Sequence, residues 1–515
     1  MVPAKVLLLL AAVLAALSPC MYARSLAQAS PYEAEATNGD TAPAPADTSA
    51  DVIIIGAGMA GITTARWIVD NTDYSVIILE ARERSGGRLY SVPTAYGRID
   101  RGAMWIHGGV PGNPLYDLAV NLNASLSPQQ DYFSAATFTS DNIPIISGSN
   151  SELLFEGWLN DMIFRIDTLR ADPATNVSSL DMPLNQIYQE YIINQNITPQ
   201  QQQTTNLMAH TAYQVLLNAN LTDLSTLRYG DAKTLPAIDV LLMDGFDVLT
   251  NIMKMEPTPL DIRYNTSVTA INYGTEDGVT DNSVTVMTDD DVEYTGKYVV
   301  TTQSLGCLKK DENLAMFNPS LPEEKLKAIN DMGMGVLDKV ILVFDTPFWN
   351  ETDFISREMP DLGGEWSIFM NNEKTIGVPA LVALNTGDTA RAIEEKTDEE
   401  ILSEVMAVLR AMYGSSSTPV EATAGTDTSS ASSTNIPDPS EYYVTRWAND
   451  PWSCGSYSYY AVGNEKNITA VLGEPVGRLL FAGEATSEYP ATVLGAHVSG
   501  LREGERVATL LAQEQ

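Results

Sequence analysis

The sequence predicts an α/β fold, and its apolar runs are the first observation behind that prediction. Unbroken apolar runs at Val52–Ile55 and Val76–Leu79 are typical of buried parallel strands, which carry apolar side chains on both faces. A helical pattern lies between them at 60–69, and further apolar runs at 340–344 and 479–482 indicate more buried strands. Strands that alternate with helices in this way indicate an α/β architecture.

The glycines after the first run are the second observation. The strand leads directly into the turn GAGMAG at 56–61. In such a turn Gly56 permits the tight bend, Gly58 lets the backbone approach a pyrophosphate, and Gly61 lets the helix pack on the strand. Glu80 ends the next strand, where a carboxylate accepts hydrogen bonds from the ribose of an adenosine. These features predict a dinucleotide-binding domain.

A second glycine pair follows in the segment RSGGR at 84–88 and is the third observation. Two glycines between two guanidinium groups suit a second pass of backbone along a diphosphate, and Arg88 can pair with phosphate through its planar fork. The sequence holds no second copy of the first glycine motif, which a reductase that binds both a flavin and a nicotinamide would need. We therefore expect a single dinucleotide, FAD.

The charge of the chain limits its partners. Among 515 residues, 66 are acidic and 30 are basic, which gives a formal net charge of −36. Such a surface repels nucleic acid and attracts cations, and solubility in an acidic or salty medium is its favoured explanation, with steering of a cationic substrate as an addition. The three histidines, His107, His210 and His497, lack the spacing of zinc ligands. We expect neither a nucleic-acid partner nor a metal site.

The N-terminus has the pattern of a secretory signal. Lys5 is followed by an apolar run at 6–17 and then by small and polar residues. We expect a signal peptide at 1–27, a flexible linker at 28–50 and a secreted, extracellular protein. Neither this run nor a later one is long enough to span a bilayer, so no stable membrane insertion is expected.

Other segments fit an exported protein. A Ser/Thr/Ala-rich stretch at 415–434 lacks large apolar residues and is expected to be a surface loop. Cys307 and Cys454 remain if Cys20 leaves with the signal, and the sequence leaves open whether they pair. Triplets that could accept glycans begin at Asn123, Asn176, Asn196, Asn220, Asn265, Asn350 and Asn467.

Beyond single motifs, a series of segments in fixed order resembles the flavin-containing monoamine and polyamine oxidase family. The resemblance covers nearly the whole chain after the linker, and WIHGGVPGNPLYDLA (105–119) and GSYSYY (455–460) are most similar to spermine oxidases. The matching segments are GAGMAG (56–61), LEARERSGGR (79–88), GAMWIHGG (102–109), SLGCLKK (304–310), KVILVF (339–344), RWANDPWSCGSYSYY (446–460) and FAGEATSEYPATVLGAHVSG (481–500).

The resemblance implies a Rossmann-like FAD-binding domain with an interleaved α+β substrate-binding domain, the amine oxidase fold. The FAD domain would comprise 51–137, 238–325 and 455–515, and the substrate domain 138–237 and 326–454. The implied reaction oxidises a small cationic amine, here a polyamine such as spermine or spermidine, and reduces oxygen to hydrogen peroxide. The segment 484–492 has no cysteine where covalent members carry one, which implies non-covalent FAD.

Four residues match the family's substrate side. Lys339 falls where the family places a lysine beside the flavin, linked to it through water; otherwise it is a strand-end lysine that reaches solvent. Tyr457 matches one aromatic wall of the substrate cage, and Thr492 stands where the other wall is commonly tyrosine. His107 falls where spermine oxidases carry a histidine and plant polyamine oxidases a glutamate; otherwise it is a core histidine.

Five further residues match the family's cofactor shell. Trp105 and Trp447 match positions around the flavin, although tryptophan is often simply core. Val268 matches a backbone contact to adenine. Glu484 ends an apolar strand, where ligands bind in open α/β sheets; otherwise it is an acid at a helix N-terminus that needs no ligand. Val493 begins a helix expected to run to the C-terminus, whose positive end would face reduced flavin or, alternatively, only pack closely on another helix.

Rival functions remain open at this point. A secreted L-amino-acid oxidase would need a cation for the substrate carboxylate, and Arg446 is a candidate. Another flavin monoamine oxidase, or a flavin-binding scaffold that has lost turnover, would share most of the motifs. The signal peptide and the lack of a long helical insertion disfavour a histone demethylase. The oligomeric state cannot be read from the sequence.

Overall fold

The computed structural model describes residues 47–128, 135–144, 151–171, 178–235, 239–274, 283–414 and 436–514. The predicted signal peptide, most of the predicted linker and the low-complexity stretch at 415–434 lie outside these residues. Within the described part, none of the helices combines the length and apolar character needed to cross a membrane.

The strands bound the sheets that position the site. In chain order they are β1 Val52–Ile55, β2 Val76–Leu79, β3 Ser91–Thr94, β4 Gly97–Asp100, β5 Trp105–Ile106, β6 Ala135–Phe138, β7 Val240–Leu241, β8 Ile262–Arg263, β9 Val268–Asn272, β10 Val284–Thr288, β11 Glu293–Gly296, β12 Tyr298–Thr301, β13 Phe317–Asn318, β14 Gly333–Met334, β15 Leu337–Val343, β16 Phe354–Arg357, β17 Ile368–Asn371, β18 Ala380–Thr386, β19 Glu441–Val444, β20 Ser458–Tyr459 and β21 Leu479–Phe481.

The helices cover the sheets. They are α1 Met59–Asn71, α2 Pro114–Asn121, α3 Ser151–Ala171, α4 Leu184–Gln195, α5 Pro199–Ala209, α6 Val248–Met253, α7 Leu305–Leu308, α8 Asp311–Leu314, α9 Glu323–Asp331, α10 Asn372–Ile376, α11 Gly387–Glu394, α12 Asp398–Tyr413, α13 Ile468–Gly473 and α14 Val493–Gln513, with a π-helix at His210–Val215 and 3₁₀ turns at Ser178–Leu180 and Glu484–Thr486.

A parallel sheet of five strands, in the order β21-β12-β1-β2-β8, forms the centre of the first half of the fold. Val52 and Ile54 of β1 face helices α1 and α14, whereas Ile53 and Ile55 face the four-stranded sheet β11-β10-β9-β13. Because both faces of the sheet are covered at β1, every residue of this strand is apolar and buried. The predicted bounds of β1 and β2 are confirmed.

Strand β1 lies between β2 and β12. From β1 the sheet extends through β2 to β8 on one side and through β12 to β21 on the other, so the order of the strands reverses at β1. Ligands bind in α/β sheets at such a switch point, outside the carboxyl ends of the strands. The glycine turn at 56–61 lies at this end of β1. The topology therefore places the predicted dinucleotide motif where its chemistry requires it.

The second large sheet has six strands in the order β19-β15-β18-β17-β16-β6. Its strand β15 begins at Leu337, three residues before the predicted start at Val340, and pairs antiparallel with β18 and β19. Alternation along β15 sends Val340 and Leu342 toward α12, and Leu337 and Ile341 toward Ile99 and Met104. Lys339 shares the second of these faces.

The C-terminal helix α14 closes the structure by packing on α1. A side chain at Gly500 would overlap the carbonyl oxygen of Ala60, and one at Gly504 would lie 2.9 Å from the Cβ of Trp67. The small residues of this helix thus allow close helix packing at Gly500. Directly before Gly500, Ser499 accepts a hydrogen bond from the N–H of Gly483 at 2.9 Å, so this side chain supports the strand end that carries Glu484.

The predicted domain division stays a prediction, but the strands show how the chain distributes. All five strands of the parallel sheet fall in the three stretches assigned to the FAD domain. Strand β6 crosses the predicted boundary at 137 and joins the six-stranded sheet. The end of the predicted linker is paired rather than free, because the Ala50 N–H donates to the Thr295 carbonyl at 3.0 Å.

Candidate active site and dinucleotide cradle

The glycine turn is fixed by Glu80. This buried carboxylate accepts hydrogen bonds from the backbone N–H groups of Ala57 at 2.7 Å and Arg82 at 2.9 Å. The Gly86 N–H donates to the Ala57 carbonyl at 2.8 Å, which brings the second glycine pair against the first turn. Glu80 therefore positions the turn, a role that sequence reasoning missed, and stays the predicted partner of a ribose.

The space around the glycines fits a diphosphate. A Cβ at Gly61 would overlap the Gly56 carbonyl oxygen, as expected for a helix packed tightly on its strand. A Cβ at Gly58 would instead meet only the Gly86 carbonyl oxygen, at 3.9 Å. No side chain caps α1, and no acidic residue lies in its first turn. The positive end of α1 thus faces an open space, which suits an anion.

Arg88 lies close to this space but has protein partners. Its Nη1 donates to the Ser456 carbonyl at 2.8 Å and to Glu484 Oε1 at 3.0 Å. The other carboxylate oxygen of Glu484 accepts from the Ser458 hydroxyl at 2.6 Å and from the Ala491 N–H at 2.8 Å. The predicted cofactor residues Arg88 and Glu484 are therefore neighbours, although 396 positions separate them in the chain.

The predicted adenine contact lies beside Glu80. The Thr266 N–H donates to the Glu80 carbonyl and the Asn265 N–H donates to the Arg82 carbonyl, each at 2.9 Å. Val268 follows as the first residue of β9. Its backbone is thus close to the end of β2 where the adenosine is expected, and the contact itself stays a prediction.

Lys339 is buried, which corrects the alternative of a strand-end lysine that reaches solvent. It is 2% exposed, and its Nζ donates to the carbonyls of Asp100 at 3.0 Å and Gly102 at 2.5 Å. Burial disfavours the charged amine and lowers the pKa of Lys339 to about 8, with the nearby Asp100 carboxylate opposing the shift. Such an amine can exchange a proton near neutral pH.

The opposite side of the same strand holds a pair of buried acids. Asp338 accepts hydrogen bonds from the Thr445 hydroxyl at 2.7 Å and from the Trp447 N–H at 3.0 Å. Burial and the neighbouring Glu394 carboxylate raise the pKa of Asp338 well above its usual range. Sequence reasoning missed this support, which holds the backbone of Trp447 next to the strand that carries Lys339.

Tyr457 borders the core on the Lys339 face of β15, as does Trp105. Its hydroxyl lies 3.1 Å from the Val215 carbonyl, which belongs to the π-helix, and 3.3 Å from the Leu216 carbonyl. Burial and the charge of Glu484 raise its pKa, so it remains a neutral phenol. π-Helical turns are frequent at functional sites.

Thr492 has a structural task that the sequence did not suggest. Its hydroxyl accepts a hydrogen bond from the Gly495 N–H at 2.9 Å and donates to the Tyr489 carbonyl at 2.8 Å. It is therefore the N-cap of α14, whose first residue is Val493. The second wall of a substrate cage at Thr492 stays a prediction.

His107 is partly exposed and is held by an acid that sequence reasoning missed. Its Nδ1 lies 2.6 Å from Asp239 Oδ2, while the other carboxylate oxygen accepts from the Gly108 N–H at 2.9 Å. The His107 side chain is 40% exposed, against 14% for Asp239. The ring stacks near Trp105, with centroids 6.3 Å apart. His107 is not a core histidine.

The described residues thus bring the predicted site together from distant parts of the chain. Trp105, Tyr457 and the Lys339 face of β15 border one apolar core, with Trp447 held behind the strand and His107 beyond Trp105. No group of three or more His, Cys, Asp or Glu side chains among these residues has the arrangement of a metal site.

Comparison with known proteins agrees with this arrangement. The sequence model of the family described as flavin containing amine oxidoreductase matches residues 59–508. The fold is similar to that of a cofactor-binding variant of putrescine oxidase, with a TM-score of 0.69 and 19% identity, over 90% of this chain and 99% of that chain.

Among the curated relatives are both a histone demethylase homologue and a probable polyamine oxidase. The chain is 31% identical over 517 residues to lysine-specific histone demethylase 1 homolog 3 of Arabidopsis thaliana, covering 89% of this chain but 30% of that protein. It is 28% identical over 466 residues to probable polyamine oxidase 4 of Arabidopsis thaliana, covering 87% of this chain and 85% of that protein. The chain also spans 52% and 58% of two other Arabidopsis demethylase homologues.

The open space at Gly58 predicts a selective effect of the substitution Gly58→Val. The backbone φ of −78° suits any residue, and a Cβ has room, so the cofactor-free protein should keep its thermal midpoint. The added side chain fills the approach to the diphosphate, and dinucleotide released by acid denaturation should fall roughly tenfold or more per mole of protein. Ala95→Val, on an exposed turn, is the control and should retain it. Full occupancy in Gly58→Val would contradict the assignment.

Proposed function

The chain belongs to the flavin-containing amine oxidoreductase family, and from that premise we propose that it is a polyamine oxidase that holds FAD non-covalently. The observation that carries the proposal is the contact of 2.6 Å between His107 and Asp239 beside Trp105. This contact places the Asp239 carboxylate on the predicted substrate side, where it is paired with the partly exposed ring of His107. A carboxylate near an amine-oxidising site favours a substrate with more than one cationic nitrogen.

Bound FAD would accept a hydride equivalent from the carbon beside the amine nitrogen and pass the electrons to oxygen. The chain's own residues prepare this chemistry. Tyr457 presents a flat, neutral ring beside the core that Trp105 also borders, which would orient the reacting carbon. Lys339 Nζ, fixed by two carbonyls, would hold or take up a proton as the imine is hydrolysed to an aldehyde and an amine.

The resemblance to plant polyamine oxidases implies a second acid on the substrate side, and Asp223 and Asp388 are neighbours of the position that it points to. Sequence comparison with plant polyamine oxidases points to Asn220, an amide. Asn220 lies within hydrogen-bond distance of Asp223, at 3.4 Å, and accepts from the Asp388 N–H at 3.3 Å. Asn220 and Asp388 line a groove of about 430 Å³. These acids support recognition of a polycation rather than of a monoamine.

Two rivals remain, and the structure weighs on one of them. The candidate carboxylate receptor of an L-amino-acid oxidase, Arg446, donates to the carbonyls of Glu394 at 3.2 Å and Lys396 at 2.8 Å and pairs with Asp398 at 2.6 Å. Because Arg446 is engaged by these protein groups, it is poorly placed to bind a substrate carboxylate, which favours an amine substrate over an L-amino acid. The similarity to histone demethylases makes a methylated lysine peptide the second candidate substrate.

We also propose that the protein is secreted, which the signal pattern supports. Of the seven glycan acceptors, Asn123, Asn196, Asn265, Asn350 and Asn467 are exposed. Asn176 lies outside the described residues. Asn220 is half-buried with its amide engaged, so we withdraw it as a glycan site.

The experiment that tests the function is anaerobic reduction of the bound flavin. Spermine, spermidine or their acetylated forms should bleach the flavin absorbance, and admission of oxygen should restore it with release of hydrogen peroxide. Reduction by L-amino acids alone, or by a dimethyl-lysine peptide alone, would overturn the polyamine proposal in favour of the corresponding rival.

Asp239→Asn should weaken substrate binding selectively. Loss of the charge beside His107 should raise the KM for spermine roughly tenfold or more and leave the kcat within a few-fold, because the reacting carbon stays in place. The control Asp73→Asn removes the same charge at an exposed site before β2. Added salt should raise the wild-type KM by screening. A spermine KM that Asp239→Asn leaves unchanged would contradict recognition through this acid.

Lys339→Met should remove the proton carrier and keep the fold, because methionine fits a buried apolar position. Turnover should fall by roughly 10² to 10⁴, the scale of a lost acid/base group. Since the neutral amine forms as pH rises through about 8, the wild-type rate should climb across that range and this limb should vanish in Lys339→Met. Stopped-flow absorbance separates flavin reduction from reoxidation. Near-normal rates in both half-reactions with full flavin occupancy would refute the assigned role.

A further inference from the structure

Two cysteines from distant parts of the chain meet at the edge of the site. The Sγ atoms of Cys307 and Cys454 lie 2.9 Å apart, although 147 positions separate them. Cys307 belongs to α7, which follows strand β12 of the parallel sheet, and Cys454 belongs to the segment that leads from Trp447 to Tyr457. Both are thiols in this structure.

The backbones around the two thiols are pressed together. The Ser304 hydroxyl accepts from the Cys307 N–H at 3.2 Å and donates to the Ser453 carbonyl at 2.6 Å. A Cβ at Gly306 would overlap the carbonyl oxygen of Cys454. The approach of the sulfurs is therefore built by surrounding contacts and does not depend on the thiols alone.

The two thiols differ in exposure and in electrostatics. Cys307 is 4% exposed, whereas Cys454 is partly exposed. The hydrogen bond from Cys307 and the Lys310 ammonium lower the pKa of Cys454 to about 7, while the same contact and burial raise the pKa of Cys307. An accessible thiolate with a second thiol in reach is the arrangement of a peroxide-sensitive pair.

We propose that Cys307 and Cys454 form a dithiol site that reacts with hydrogen peroxide, in which Cys454 is attacked first and Cys307 closes the disulfide. This site goes beyond the proposed function, although the oxygen reaction of that function would supply the peroxide locally.

The reaction balances with peroxide as the sole oxidant. The Cys454 thiolate attacks one peroxide oxygen, the O–O bond breaks, and hydroxide leaves and takes up a proton to become water. The Cys307 sulfur then attacks the sulfenic sulfur; an S–S bond forms, the S–OH bond breaks, and the Cys307 proton leaves with the second water. The two sulfurs lose two electrons in total, and peroxide gains two.

The bond would lock a turn that supports the dinucleotide cradle. Asp450 accepts the Cys454 N–H on its carbonyl at 2.9 Å, and its carboxylate pairs with Arg82, at 2.6 Å from Nη2. The backbone N–H of Arg82 donates a hydrogen bond to the carboxylate of Glu80, which fixes the glycine turn. Oxidation would therefore tie the turn at 450–454 covalently to α7, next to the adenosine end of the cradle.

The test uses the full-chain holoenzyme without amine, reduced with a phosphine, freed of reductant and treated with graded hydrogen peroxide. Alkylation and peptide mapping should show both free-thiol peptides vanish together as a linked Cys307–Cys454 peptide appears. Retention of both thiols, or a linked pair that the phosphine cannot open in the folded protein, would overturn the proposal. Because peroxide is added, failure here leaves the amine oxidase function untouched, and the reverse holds.

Single variants assign the order of attack. In Cys307→Ser, dimedone should trap Cys454 as a sulfenic acid. In Cys454→Ser, Cys307 should react more than about tenfold slower than the wild-type pair, since it is buried and protonated. Lys310→Met should slow oxidation, and Lys310→Arg should restore it. Equal peroxide reactivity of the two single variants would refute the order, and the wild-type map decides the pairing even if a variant folds poorly.

Discussion

The burial of the Lys339 amine is the constraint on which the rest of the site depends. An amine removed from water needs acceptors, and it finds them in two backbone carbonyls, one at the last residue of β4, Asp100, and one just after it, at Gly102. A side chain at Gly102 would overlap the Arg88 carbonyl oxygen, so this segment also lies against the second glycine pair. One buried cation thus links the six-stranded sheet to the predicted diphosphate region, and the two halves of the fold meet around it.

Side chains alternate between the two faces of strand β15, so two successive residues of this strand contact different parts of the site. Lys339 points toward the shared core, and Asp338, one residue earlier, points to the opposite side and holds the backbone at Trp447. The predicted active-site lysine and the support of a predicted flavin-shell tryptophan are therefore set by the register of a single strand. A slip of one residue would exchange the two side chains and leave both polar groups without their hydrogen-bond partners.

The sequence was sufficient for the features that depend on local pattern. The glycine turn, β1, β2 and α14 follow from apolar runs and from glycine positions, and the structure has them where they are predicted. Contacts between distant residues carry no such local signal. Asp239 at His107 and the acid behind Trp447 could not be predicted, because nothing near them in the chain points to their partners. Lys339 was placed at a strand end because the two residues before it, Leu337 and Asp338, do not continue an apolar run.

The order of strands in the parallel sheet has a consequence for synthesis of the protein. Strand β1 pairs with β12, and β12 pairs with β21, which lies near the end of the chain. The apolar residues of α1 pack against α14, which lies far downstream in the chain. A nascent chain on the ribosome therefore carries helix α1 for more than 400 residues before its partner helix α14 emerges. During that interval the apolar face of α1 lacks its final cover, so the incomplete chain exposes apolar surface that is prone to aggregation.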